Sequence, residues 1–148
     1  MAEKVSFNLT NQNGEPVSDA DFRGQKYVMF FYPRAMTPGC TTESCDFRDS
    51  YHEFEAAGYA IVGVSPDPPS RNKKFQEKEG LNFDLLSDED HSLAESLQAW
   101  GEKKLYGKIS LGLIRSTFVV DEKGSVIEAY RNVRATGHVG RLKADLFA

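Results

Sequence analysis

With 148 residues, the chain is long enough for one compact domain with a substantial core and too short for two comfortable ones. Hydrophobic residues at 40% and charged residues at 27% exclude extended disorder, and a net charge of −4 leaves no basic surface to explain nucleic-acid binding. The longest apolar runs fall far short of the ~20 residues that span a bilayer.

The opening MAEKVSFNLT has no apolar stretch of signal-peptide length, which predicts a cytoplasmic protein. In that compartment the two cysteines, Cys40 and Cys45, suit catalytic, redox-sensing or metal-binding work better than a permanent staple.

Val5, Phe7 and Leu9 alternate with polar residues and predict a short strand with one buried face. Turn chemistry from Asn11 to Gly14 follows, giving an N-terminal β-hairpin. Ser18 to Gly24 reads as a single helical turn, capped by Ser18 and ended by Gly24. Tyr27 to Tyr32 is an unbroken apolar and aromatic run, the pattern of a strand covered on both faces. Pro33 ends it, because proline has no N–H for a sheet ladder.

Phe47, Tyr51 and Phe54 recur at helical spacing and Gly58 follows, so a helix is predicted from about Cys40 to Ala57. Tyr59 to Ser65 is a second buried-type strand, and a polar helix from Ser70 to Glu79 stops at Gly80. Strand, helix, strand, helix implies a parallel crossover. Phe83 to Leu86 suits a short strand. Leu93, Leu97 and Trp100 mark the apolar stripe of another helix, closed by Gly101, and Leu105 to Leu113 reads as Gly-rich and irregular.

Thr117 to Val120 and Val126 to Tyr130 form a hairpin across the turn Asp121 to Gly124. A final helix starts near Gly137, with Leu142 and Leu146 one turn apart. The sum is an α/β sandwich in which helices cover a central mixed sheet of about five strands.

The stretch FYPRAMTPGC, Phe31 to Cys40, places a thiol where a buried strand passes into a helix. The first N–H groups of a helix lack internal partners and carry the positive end of its dipole, so that position favours a thiolate over a thiol. Thiols so placed, or beside a cation, fall from about 8.5 into a range of about 3.5 to 7.5. A small buried hydrophobe is the ordinary alternative for a free cysteine.

The C-x4-C spacing adds a geometric constraint. On an ideal helix, α-carbons five residues apart lie roughly 8.6 Å from each other. A disulfide needs them within about 7 Å, so a bond between these two would require the first helical turns to unwind. Cys45 could equally be a mid-helix residue with no partner.

Pro33-x3-Thr37-x2-Cys40 resembles the active-site motif of the peroxiredoxins, and MTPGCTTESCDFRD is similar to the bacterioferritin comigratory protein, or peroxiredoxin Q, subgroup. Further matching stretches follow in order: GVSPD at Gly63, KKF at Lys73, LLSD at Leu85, WGEKKLYGK at Trp100 and IRSTFVVD at Ile114. The likeness runs from about Leu9 to the C-terminus and implies a thioredoxin-like fold.

It also implies roles. Cys40 resembles the peroxidatic cysteine, which attacks a peroxide oxygen and becomes a sulfenic acid. Thr37 resembles the hydroxyl that hydrogen-bonds thiolate and peroxide, where position alone would give a helix cap. Pro33 resembles the residue that shields the sulfur from water, and is otherwise a strand terminator. Arg115 resembles the pocket arginine, whose fixed guanidinium stabilises charge on sulfur and peroxide; a surface arginine is the default reading.

Cys45 matches the resolving cysteine of members that keep both thiols on one helix. The resemblance then implies an intramolecular Cys40–Cys45 disulfide, recycled by thioredoxin or a similar dithiol, with no cofactor and no partner subunit needed. A monomer follows as the expectation. Two departures stand out: Arg34-Ala35, where the family often has lysine followed by an acidic or small residue, and Pro68-Pro69, which stiffens a helix start.

His52, His91 and His138 raise a metal reading, but Cys40, Cys45 and His52 do not fall on one helical face. Trp100 and Tyr106 read as core or loop packing rather than a cofactor platform. Thiol–disulfide exchange and a redox-responsive holdase remain alternatives to peroxide reduction.

Overall fold

The computed structural model describes residues 4–105 and 107–147. Strands β1 (Asn8–Thr10) and β2 (Pro16–Ser18) form the N-terminal hairpin, displaced along the chain from the predicted strand. Val5 and Phe7 precede it and are buried. Asn11 builds the turn, its Oδ1 accepting the N–H groups of Asn13 and Glu15 at 2.9 and 3.0 Å. Asp19–Phe22 is a 3-10 turn whose Asp21 accepts the Ser18 N–H at 2.9 Å.

β3 (Lys26–Phe31) is followed by α1 (Pro38–Asp49), α2 (Tyr51–Ala56), β4 (Tyr59–Ser65), α3 (Pro69–Glu79) and β5 (Asp84–Ser87). The order continues with α4 (Ser92–Ser96), β6 (Trp100–Leu105), β7 (Lys108–Leu113), β8 (Ser116–Val120), β9 (Val126–Arg131) and α5 (His138–Phe147). The main sheet has the order β2-β1-β5-β4-β3-β8-β9. It is mixed, since β3, β4 and β5 run parallel while β8 pairs antiparallel with β3. This is the thioredoxin-like α/β arrangement, with seven strands rather than five, because the N-terminal hairpin joins the sheet edge through Thr10 and Ser87.

The apolar run on β3 explains its central place. Alternation sends Val28 and Phe30 into a core shared with Phe47, Phe54 and Leu142, and Tyr27, Met29 and Phe31 into a second core with Leu93, Leu97 and Phe118. Phe30 stacks on Phe47 at 4.5 Å between ring centroids, so the strand grips α1 directly. Gly63, beside it on β4, has room for nothing larger: a Cβ there would lie 2.9 Å from Leu85 and 3.0 Å from Phe30.

Three predicted elements differ. The helix predicted from Cys40 to Ala57 breaks at Ser50, whose φ of −101° and ψ of 4° separate α1 from α2. The helix predicted to reach Trp100 stops at Ser96. Gln98 takes the left-handed conformation at φ 61°, and the Ala99 N–H closes back on the Ala94 carbonyl at 2.7 Å, a Schellman ending without glycine. Trp100 and Gly101 therefore begin a strand. The segment read as irregular pairs with it as the β6–β7 hairpin, outside the main sheet, with Gly101 opposite Gly112. Tyr106 lies outside the described residues. Among the described residues no helix is long and apolar enough to cross a membrane.

Candidate active site

α1 starts at the C-terminal end of β3, one short loop later. Pro38 occupies its first position, where a missing N–H costs nothing, and Thr37 is the extended N-cap residue with φ −91° and ψ 156°. Cys40 thus falls in the first turn. Its side chain is fully buried, on the same helical face as Glu43, Ser44 and Phe47.

Arg115 enters from the residue before β8. Its Nη2 donates to Cys40 Sγ at 3.3 Å, and its Nη1 donates to Glu43 Oε1 at 2.7 Å. Thiol, guanidinium and carboxylate form one contiguous chain, whose two ends share α1 and whose middle, Arg115, lies 75 residues beyond Cys40 in sequence and meets it because β3 and β8 are neighbours. Gly39 makes room for it: a Cβ there would lie 3.2 Å from Arg115 Nη2.

Glu43 escaped the sequence reading. The available signal was its position, three residues after Cys40 and four before Phe47, on the stripe that Phe47 marks as buried. Burial, the largest influence, pushes its carboxyl up to about 7, against the charge and hydrogen bond of Arg115, which pull it down. Its Oε2 has no hydrogen-bond partner among the described residues.

Thr37 stands at the head of α1, three residues before Cys40, and Pro33 lines a cavity together with Arg115. Thr37 makes no side-chain capping bond; its Oγ1 donates instead to the Arg34 carbonyl at 2.8 Å. With its proton committed there, the hydroxyl offers lone pairs to an incoming donor. A cavity of about 870 Å³ is lined by Pro33, Pro66, Trp100, Leu111, Ile114 and Arg115, among others. Cys40 is buried and not part of that lining; Arg115, which is, donates to its sulfur.

Cys45 shares α1 with Cys40, and both sulfurs are free thiols. Its surroundings are different: the Sγ lies 3.9 Å from Glu79 Oε1 at the end of α3. Burial chiefly pushes the Cys45 thiol up, Glu79, Asp49 and Asp46 add to this, and Arg48 opposes it.

The three histidines weighed as metal ligands are scattered. His52 is exposed on α2, and His91 stacks on Trp100 at 3.7 Å between centroids. His138 is buried and shares a 2.8 Å hydrogen bond with Thr117 Oγ1. Burial, with Arg141 and Arg115 adding, pushes its pKa down to about 4.

A buried thiol facing a fixed guanidinium at the edge of a cavity is equipped for nucleophilic attack on a small polar bond, with the cation placed for the charge that develops. Comparison with known proteins agrees. Residues 2–129 match the model of the AhpC/TSA family. The chain is 47% identical over 131 residues to peroxiredoxin Bcp of Bacillus subtilis, covering 88% of this chain and 83% of that one. With peroxiredoxin Bcp of Escherichia coli strain K12 it shares 43% identity over 132 residues, 89% of this chain and 85% of that one. The bacterioferritin comigratory protein of Xanthomonas campestris, solved in a study of its alkyl peroxide reduction, superposes with a TM-score of 0.89 at 38% identity, covering 95% of this chain and 90% of that one.

Proposed function

The chain belongs to the AhpC/TSA family, and on that premise we propose that Cys40 is the nucleophile through which it acts as a thiol-dependent peroxidase on hydrogen peroxide and organic hydroperoxides. The carrying observation is the Arg115 guanidinium, 3.3 Å from Cys40 Sγ and 2.7 Å from the Glu43 carboxylate. The carboxylate fixes the fork, leaving its remaining donors for the peroxide.

Cys40, as thiolate, attacks one peroxide oxygen; the S–O bond forms as the O–O bond breaks, and water or an alcohol leaves with the departing oxygen. Arg115 carries the charge that grows on those oxygens. Thr37 accepts a hydrogen bond from the peroxide O–H with its free lone pairs, and Pro33 keeps bulk water off the sulfur. In the second step Cys45 gives up its proton as its sulfur attacks the Cys40 sulfenic acid; the S–S bond forms as the S–O bond breaks, and the hydroxyl leaves with that proton as water. Both cysteines lie on the regular helix α1, so this step requires its first turns to unwind. A dithiol protein, thioredoxin by preference, returns both sulfurs to thiols by exchange. Because both sulfurs belong to one chain, a monomer completes the cycle.

The test is peroxide-dependent NADPH oxidation in a mixture containing thioredoxin and thioredoxin reductase. Sustained turnover is the expected result. Reduction of insulin disulfides with little peroxide consumption would reject this reading in favour of thiol–disulfide exchange.

A further inference from the structure

The six residues between β3 and α1 decide where Cys40 stands, and they are held from outside. Ala35 is completely buried, and Met36 after it has φ 66°, a left-handed conformation that non-glycine residues keep only when surroundings impose it. Both peptide groups of Ala35 are taken by side chains from the β4–α3 connection and the first turn of α3. Its N–H donates to Asp67 Oδ2 at 2.7 Å, and its carbonyl accepts from Arg71 Nη2 at 2.9 Å. Arg71 Nε lies 3.2 Å from Asp67 Oδ1, which closes the ring.

The holder is itself rigid. The Asp67 N–H donates to the buried Ser65 Oγ at 3.2 Å, and Pro68 and Pro69 fix the backbone between the acid and the arginine. Thus the GVSPD stretch, the Arg34-Ala35 departure and the proline pair belong to one structure. None of them hydrogen-bonds to the thiol, whose partner among the described residues is Arg115.

We propose that Asp67 and Arg71 are positioning residues for the peroxide step: by holding Ala35 at both peptide groups they set where α1 begins, and hence where the Cys40 sulfur meets Arg115. This rests on Cys40 as the attacking nucleophile. A displacement of the order of 1 Å at a reacting atom costs up to about 100-fold in rate, so a loosened holder shows in the chemistry while the fold survives.

The experiment uses the full chain in a Cys45→Ser background, where the sulfenic acid on Cys40 accumulates and is counted by rapid quenching and intact-mass analysis. Asp67→Ala and Arg71→Ala are expected to lower the second-order constant with hydrogen peroxide about tenfold or more. Asp67→Asn, which keeps an oxygen for the Ala35 N–H, is expected to recover most of the loss. With Cys45 restored, reduction of the preformed disulfide by dithiothreitol should be unchanged in every variant. Alanine variants that fold and react within about twofold of the parent would overturn the proposal, as would an Asp67→Asn variant as slow as Asp67→Ala. Should Asp67→Ala fail to fold, Arg71→Ala decides, since that side chain is 32% exposed. A parent forming no sulfenic acid on Cys40 would instead remove the nucleophile reading beneath it.

Discussion

The two ends of the reactive segment of α1 carry the same functional group in opposite surroundings. Cys40 is buried against a guanidinium, while five residues later the half-buried Cys45 faces the Glu79 carboxylate, with Asp46 and Asp49 beside it. One sulfur meets a cation positioned for nucleophilic work; the other is kept as a thiol by burial and acidic neighbours. The difference teaches that sequential roles need not be separated by distance along the chain. They can be separated by which neighbouring element each helical face meets: the residue before β8 for Cys40, the end of α3 for Cys45.

The most drastic way to break the comparison is to exchange sulfur for oxygen at each end in turn. Cys40→Ser should abolish peroxide consumption altogether, whereas Cys45→Ser should consume one equivalent, accumulate a sulfenic acid and stop. A disulfide-bonded monomer found by intact mass in Cys45→Ser would refute its resolving role. Next in size, Arg115→Ala removes the cation from one end only and should slow single-turnover peroxide reduction by about 10²-fold. Its disulfide-reduction rate should be unchanged.

Glu43→Gln tests the carboxylate behind that cation through stability. Burial pushes the Glu43 carboxyl up to about 7 in the folded chain, against 4.5 for an ordinary glutamate, so the folded chain holds an extra proton between those values. Its contribution is complete below about pH 4.5 and is lost as pH rises through about 7. Urea unfolding at pH 4.5 and at pH 7.5 should show the parent losing at least about 1 kcal/mol more than Glu43→Gln over that interval. His138 acts in the opposite sense: its stabilising effect is present above about 6.5 and is lost as pH falls towards 4, which leaves the Glu43 variant as the clean comparison.

The smallest effect belongs to the acidic end. Glu79→Gln takes one of the charges that raise the Cys45 thiol, and alkylation of Cys45 at neutral pH should become about two- to threefold faster. An unchanged rate would remove Glu79 from the causes of that suppression and leave it to burial with Asp49 and Asp46.

Much of this was readable before folding. The apolar run of β3, the helical stripe of Phe47 and the proline between them placed Cys40 at a strand-to-helix joint, because periodicity and backbone chemistry are local properties. What escaped were features whose local signals were weak or misleading. Gln98 ends α4 in a conformation normally announced by glycine. The β6–β7 hairpin carries glycines and leaves Ile109 and Leu111 exposed, since no sheet covers them, so no burial pattern marks it as a strand pair. Glu43 carries a residue type that is ordinarily exposed; its burial is compensated by Arg115, which arrives from far along the chain.

The sequence by itself determined the alternation of strand and helix up to α3, the apolar run that became an interior strand of the sheet, and the thiol at the head of a helix, through hydrophobic period, proline and residue spacing. Only the tertiary structure decided which charges meet each sulfur and what grips Ala35. Those partners lie 32 to 75 residues away, and pairing of β3 with β4 and β8 brings them within hydrogen-bond reach.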